Sequence, residues 1–134
     1  MFSVVQVIAQ RGTCERLQVG AVLARDGRII STGYNGSPAG LPHCLSAGCD
    51  IDPETKRCVR TVHAEANVLA YSARYGIAVD GSELFSSDAP CLDCAKLIVN
   101  AGIKSVLWKR DYHDNRGVDL LIAAGIYATK FEAL

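Results

Sequence analysis

The sequence lacks a net charge: 14 basic residues balance 14 acidic ones, counting the three histidines as neutral. That balance excludes the one-signed footprint expected of a protein that grips a nucleic-acid polymer by its phosphates. No run approaches the roughly 18 apolar residues of a membrane span, so no membrane partner is expected. The apolar start, Met1 to Gln10, is broken by Gln6 and followed by Arg11. It has neither a basic leading region nor a small-residue cleavage site, so it does not read as a signal peptide. Without export, the six cysteines are expected as thiols or metal ligands in a cytoplasmic setting, not as disulfides. Repeats, low-complexity tracts and linkers are also lacking. A chain of 134 residues can bury a core unaided, so residues 1–134 read as one domain.

What is present is a series of alternating periodicities. Positions 2, 4, 5, 8 and 9 are mostly apolar at helical spacing and predict a first helix within Met1 to Gln10. Gln18 to Ala24 reads as a strand, Asp26-Gly27 as a two-residue hairpin turn, and Arg28 to Tyr34 as the returning strand. From Asn35 to Arg60 no period is sustained, and so long an irregular stretch implies either a function or a metal clip. Further helices are predicted over Thr61 to Tyr75, Cys91 to Ala101 and Gly117 to Ala124, with Thr61 and Gly76 as caps of the first. Strands are predicted over Glu83 to Ser87, Lys104 to Lys109 and Ile126 to Thr129. Such alternation predicts an α/β layered domain with parallel pairing in its second half.

The chemistry is concentrated in two short motifs. His63-Ala64-Glu65 is followed, after 24 residues, by Pro90-Cys91-Leu92-Asp93-Cys94. Zinc favours imidazole and thiolate in a tetrahedron, and a catalytic zinc takes three protein ligands and leaves the fourth position to water. His63, Cys91 and Cys94 supply three such ligands. Glu65, two residues from the histidine, can exchange protons without binding the metal. A lone His-x-Glu arises by chance, and a lone C-x-x-C can be a redox pair or half of a zinc ribbon. A purely structural zinc would want a fourth protein ligand. Both motifs in this order, with Pro90 before the first cysteine, match the signature of zinc-dependent nucleobase deaminases. Two helix N-termini should converge on the metal, where their positive ends favour thiolate and carboxylate.

Together with Gly33-Tyr34-Asn35-Gly36-Ser37-Pro38-Ala39-Gly40 and Cys58-Val59-Arg60-Thr61-Val62, these motifs resemble the deoxycytidylate (dCMP) deaminase family. The likeness runs from about Thr13 to Ile126, and the GYNGSPAG segment is more discriminating than the zinc motif. It implies a three-layer αβα sandwich around a five-stranded mixed sheet, and hydrolysis of dCMP to dUMP with release of ammonia. In that chemistry zinc activates a water for attack on C4 of cytosine, while Glu65 shuttles protons. The resemblance further implies that the Ala64 N–H points at the pyrimidine O2 and that Asn35 holds the sugar 3′-hydroxyl. Val22 would form the apolar wall against the base, and Tyr112 would lie beside the deoxyribose. For Asn35 the alternative is a plain Asn-Gly turn, and for Val22 and Tyr112 plain packing. Arg60, Lys109 and Arg110 are available for the phosphate, with nothing to choose between them. Family members are commonly hexamers, activated by dCTP and inhibited by dTTP with magnesium, and Arg74 lies on the helix tied to that contact. A homo-oligomer with such effectors is therefore implied. A preference for a 5-substituted cytosine nucleotide stays open.

Cys14, Cys44, Cys49 and Cys58 exceed what one active site can use, and three of them lie in the irregular stretch. As four thiolates they would close a structural zinc site that clips it, while ordinary buried thiols are the alternative. The family often holds a second zinc here with mixed Cys and His, so His43 could replace one thiol. Among rival enzymes, tRNA adenosine deaminase shares both motifs, but usually has methionine where Leu92 or Asp93 stands and a basic surface. Guanine or cytosine free-base deaminases are further rivals. Free cytidine deaminase normally has cysteine where His63 stands. From another class, an inactive zinc-stabilised binding module would not need Glu65.

Overall fold

The computed structural model describes residues 1–132; residues 133 and 134, the end of the expected domain, lie outside the described residues. The elements in chain order are α1 (Phe2–Ala9), β1 (Gly20–Arg25), β2 (Arg28–Tyr34) and α2 (Cys44–Ala47). They continue with α3 (Ala64–Arg74), β3 (Glu83–Asp88), α4 (Leu92–Asn100), β4 (Ser105–Arg110), α5 (Arg116–Ala123) and β5 (Tyr127–Lys130). One mixed sheet has the order β2-β1-β3-β4-β5. β1 pairs antiparallel with β2 and β3, while β3–β4 and β4–β5 are parallel. The expected mixed five-stranded sheet is therefore present.

Local sequence explains the joints. Asp26 and Gly27 both have positive φ, 53° and 78°, the geometry of a type I′ turn whose twist suits a hairpin. The predicted helix start at Thr61 needs correction: α3 begins at Ala64, with His63 as its extended N-cap residue. Residues 61–63 are held extended instead, because Val62 pairs with Gly36 across an isolated bridge. The stretch expected to be irregular contains the single turn of α2, a bridge between Ile51 and Cys58, and the Gly36 end of the bridge to Val62.

The period of two along the strands sorts the layers. Ala21, Leu23, Leu84, Val106 and Trp108 meet Ala64, Val68, Ala95, Ile98 and Leu121 in one buried core. Those residues come from the sheet and from α3, α4 and α5. α1 covers the opposite face, where Phe2 meets Phe85 edge-on with centroids 5.7 Å apart. Gly33 sets how closely α3 lies on the sheet. A Cβ there would stand 2.7 Å from the Val68 nitrogen and 2.9 Å from the Ala64 oxygen. That contact fixes the start of α3, and with it His63 and Glu65.

Candidate active site

His63 and Cys91 are each the extended residue that opens a helix, α3 and α4 respectively. Cys91 accepts the Cys94 N–H at its sulfur, so the C-x-x-C pair is an N-cap closed on itself. The parallel ends of β3 and β4 bring α4 to this place, since ligand sites in such sheets lie beyond the carboxyl ends of the strands. α5 presses on the same turn: a Cβ on Gly117 would clash with Pro90 and stand 2.7 Å from the Cys91 carbonyl carbon.

His63 Nδ1 lies 3.4 Å from Cys91 Sγ and 3.5 Å from Cys94 Sγ, and the three ligand atoms lie within 4.8 Å of one another. Zinc bonds of the usual length in a tetrahedron place nitrogen and sulfur about 3.6 Å apart, so this donor set fits a zinc ion. The thiols share their protons unequally. Cys91 is pushed down to about 3 by donors from Cys94 and His63, and Cys94 is pushed up as donor to Cys91 and by burial. His63 is raised by its contact with the Cys91 sulfur, against burial and the charge of Arg57.

Glu65 is fully enclosed, at 3% exposure. Its Oε1 accepts a 2.7 Å hydrogen bond from the Ser86 hydroxyl, and burial raises its proton affinity against that bond and the charge of His63. Ser86 was absent from the sequence expectations. Its signal was there: the inward positions of β3 read Leu84, then Ser86, a hydroxyl where the period asks for an apolar side chain. Ala64 is buried and its N–H is the first of α3, which geometry leaves without a partner inside the helix.

The substrate-side expectations fare unequally. Val22 requires correction. The register sets it opposite Phe85 on the α1 face, whereas Ala21 opposite Ser86 is on the face of Glu65. A strand reverses its side chain at every residue, so Val22 cannot wall a pocket at Glu65 from there. Asn35 is buried, but its amide clamps the preceding loop: Oδ1 accepts from Val19 N at 2.8 Å and Nδ2 donates to Leu17 O at 2.7 Å. Tyr112 meets His113 with ring centroids 4.2 Å apart and planes tilted by 43°, and carries the Arg57 guanidinium 5.0 Å above its ring. Of the three available cations, Arg60 donates to Gly48 O and Arg110 pairs with Asp88 at 2.6 Å. Lys109 points to the α1 face, 4.7 Å from the Phe131 ring.

A second sulfur cluster forms away from the first. Cys14, Cys44 and Cys49 have ligand atoms within 4.8 Å of one another, and Cys58 Sγ lies 3.6 Å from Cys44 Sγ. Tetrahedral zinc thiolates have sulfurs about 3.8 Å apart, a spacing that the Cys44–Cys58 pair matches, while Cys58 stands outside the tight group of three. Burial raises Cys44 to about 12, whereas backbone N–H donors bring Cys58 down to about 7 against its own desolvation. His43 stands outside the cluster as the exposed residue before α2.

Comparison with known proteins agrees with this geometry. Residues 1–109 match the model of the cytidine and deoxycytidylate deaminase zinc-binding region. The chain belongs to that family of zinc-binding deaminases. It is 44% identical over 106 residues to ComE operon protein 2 of Bacillus subtilis, covering 79% of this chain and 55% of that protein. It is 30% identical over 164 residues to the deoxycytidylate deaminase of Enterobacteria phage T4, covering 94% of this chain and 85% of the relative. The dCMP deaminase of cyanophage S-TIM5, solved with dCMP and dUMP, superposes with a TM-score of 0.85 at 33% identity. That match covers 96% of this chain and 92% of the other.

Proposed function

We propose that the chain hydrolyses dCMP to dUMP and ammonia, with His63, Cys91 and Cys94 holding zinc and Glu65 moving protons. The observation that carries this reading is a buried carboxylate, fixed by Ser86, beside a set of only three metal ligands. A structural zinc would close its shell with a fourth residue and would need no acid beside it. Zinc in that site would lower the pKa of a coordinated water towards neutrality. Glu65, ionised, accepts the proton of the water that adds to C4 of cytosine. Once protonated it is an acid in an apolar place, suited to deliver protons to N3 and to the amino group that leaves as ammonia. The unpartnered first N–H of α3, at Ala64, supports its role as donor to the pyrimidine O2. The GYNGSPAG segment and the similarity to relatives named deoxycytidylate deaminase support dCMP over other cytosine compounds. Zero net charge speaks against tRNA adenosine as substrate.

Cys14, Cys44, Cys49 and Cys58 belong to the same reading as the ligands of a second, structural zinc. A homo-oligomer is supported by the exposed Tyr71–Tyr75 pair at the C-terminal end of α3, with Arg74 over the Tyr75 ring. A hexamer and the effectors dCTP and dTTP with magnesium are carried by the family resemblance alone, and a cytoplasmic location by the need for reduced thiols. Ammonia release across dCMP, CMP, deoxycytidine, dCTP, guanine and a tRNA stem-loop tests the substrate. dCMP should give the highest kcat/KM; faster deamination of adenosine in the tRNA stem-loop would overturn the reading.

A further inference from the structure

Beyond Cys91 the chain builds a cationic lip that the chemistry at Glu65 leaves unexplained. Ala89 N–H donates to Arg110 O, so the segments leaving β3 and β4 run side by side. Cys91 and Tyr112 each lie two residues further along. The loop carrying Tyr112 and His113 therefore borders the cluster of His63, Cys91 and Cys94. That loop is met by a narrow ribbon, residues 50–59. It is held by Asp52 N to Arg57 O, Lys56 N to Asp52 O and Val59 N to Asp50 O, at 2.8, 2.8 and 2.7 Å. Cys58, in the second cluster, anchors this ribbon next to Arg57.

The ribbon aims Arg57 at the opposite loop. Its Nη2 donates to His113 Nε2 at 2.9 Å, and its guanidinium lies over the Tyr112 ring. A guanidinium can only donate, so Nε2 accepts and the His113 proton resides on Nδ1. Three carboxylates of the ribbon and of the loop with Tyr112 are already engaged. Asp114 is paired with Arg116 at 2.7 Å, Asp111 takes Lys130 and the Trp108 N–H at 3.0 Å each, and Asp52 caps Glu54 N at 2.9 Å. Among the described residues Arg57 has no acidic partner within ion-pair distance. Its charge is nonetheless felt at His63. A positive charge held by an aromatic face and an imidazole, with no anion of its own, is arranged for an anion from outside. A guanidinium fork suits a phosphate because it donates in two parallel bonds.

We propose that Arg57, backed by His113 and Tyr112, receives the 5′-phosphate of the nucleotide and so distinguishes nucleotide from nucleoside. This rests on the dCMP reading above. The ribbon that orders the second sulfur cluster thereby also carries the specificity residue for the first.

The test compares dCMP with deoxycytidine, which lacks the phosphate, in the purified full chain and in Arg57→Ala, Arg57→Lys and His113→Ala. Both side chains are exposed, and deoxycytidine turnover reports that each variant has folded. In Arg57→Ala the kcat/KM for dCMP should fall about 10- to 100-fold, mostly through KM, while that for deoxycytidine stays level. Arg57→Lys should recover part of the loss, and His113→Ala should show a smaller loss of the same kind. An unchanged preference for dCMP in Arg57→Ala, or equal losses on both substrates in Arg57→Ala and Arg57→Lys, would overturn the proposal and leave the dCMP reading intact. A wild-type chain that prefers deoxycytidine would overturn both.

Discussion

The two sulfur clusters are built in opposite ways. His63, Cys91 and Cys94 open α3 and α4, and those helices are pressed onto a fully buried core. Cys14, Cys44, Cys49 and Cys58 hang on loops and one short helix, the last three in a stretch with little regular structure. In the first case packing determines where the ligands stand, and a metal is added to a finished frame. In the second, on the reading of a structural zinc, the ligands themselves would hold the chain. Three ligands beside a buried acid leave room for chemistry, whereas four thiols close a shell. Removing metal should therefore cost the first region its reaction and the second its shape.

The largest effect should come from the acid that only the first cluster has. Glu65→Gln should keep its zinc and lose turnover by more than about 10⁴-fold, because one residue serves several proton transfers. Single-turnover ammonia release would show it, and near-normal rates would remove Glu65 from the reaction. Next in size, Cys49→Ser should lower the melting temperature by roughly 10 °C, since losing a structural zinc costs folding energy directly. Cys94→Ser should lower it less while abolishing activity. Equal shifts in the two variants would erase the distinction between the regions.

Smaller effects probe the frame around the first cluster. Ser86→Ala removes the hydroxyl that holds Glu65 Oε1 and should lower kcat about 10-fold with little change in KM or melting. Gly33→Ala should destabilise by about 1–3 kcal/mol, because the added methyl meets the backbone of α3. Denaturant unfolding would measure it, and an unchanged midpoint would mean that α3 can shift without loss.

Much of this frame was legible because its signals are local. The Asp26-Gly27 turn, the alternation of strands with helices and the glycines after α3, α4 and α5 all appear where the sequence puts them. The ligand motifs were legible because metal chemistry demands particular side chains at close spacing. What failed depended on register or on tertiary pairing. Val22 and Ala21 are both apolar, and only the pairing with Phe85 and Ser86 decides which one faces Glu65. Thr61 looks like a helix cap until Val62 is seen paired with Gly36. Arg57 did not stand out in the sequence beside Arg60, Lys109 and Arg110, since its partners Tyr112 and His113 lie more than fifty positions away.

The contrast between the clusters is tested most directly by zinc content per chain, measured by elemental analysis on the wild type, Cys58→Ser and Cys94→Ser. Two zincs are expected in the wild type and one in each variant, with Cys58→Ser keeping the zinc that supports deamination. A single zinc in the wild type, retained in Cys58→Ser and lost in Cys94→Ser, would show that the four cysteines hold no metal and that packing alone orders their stretch.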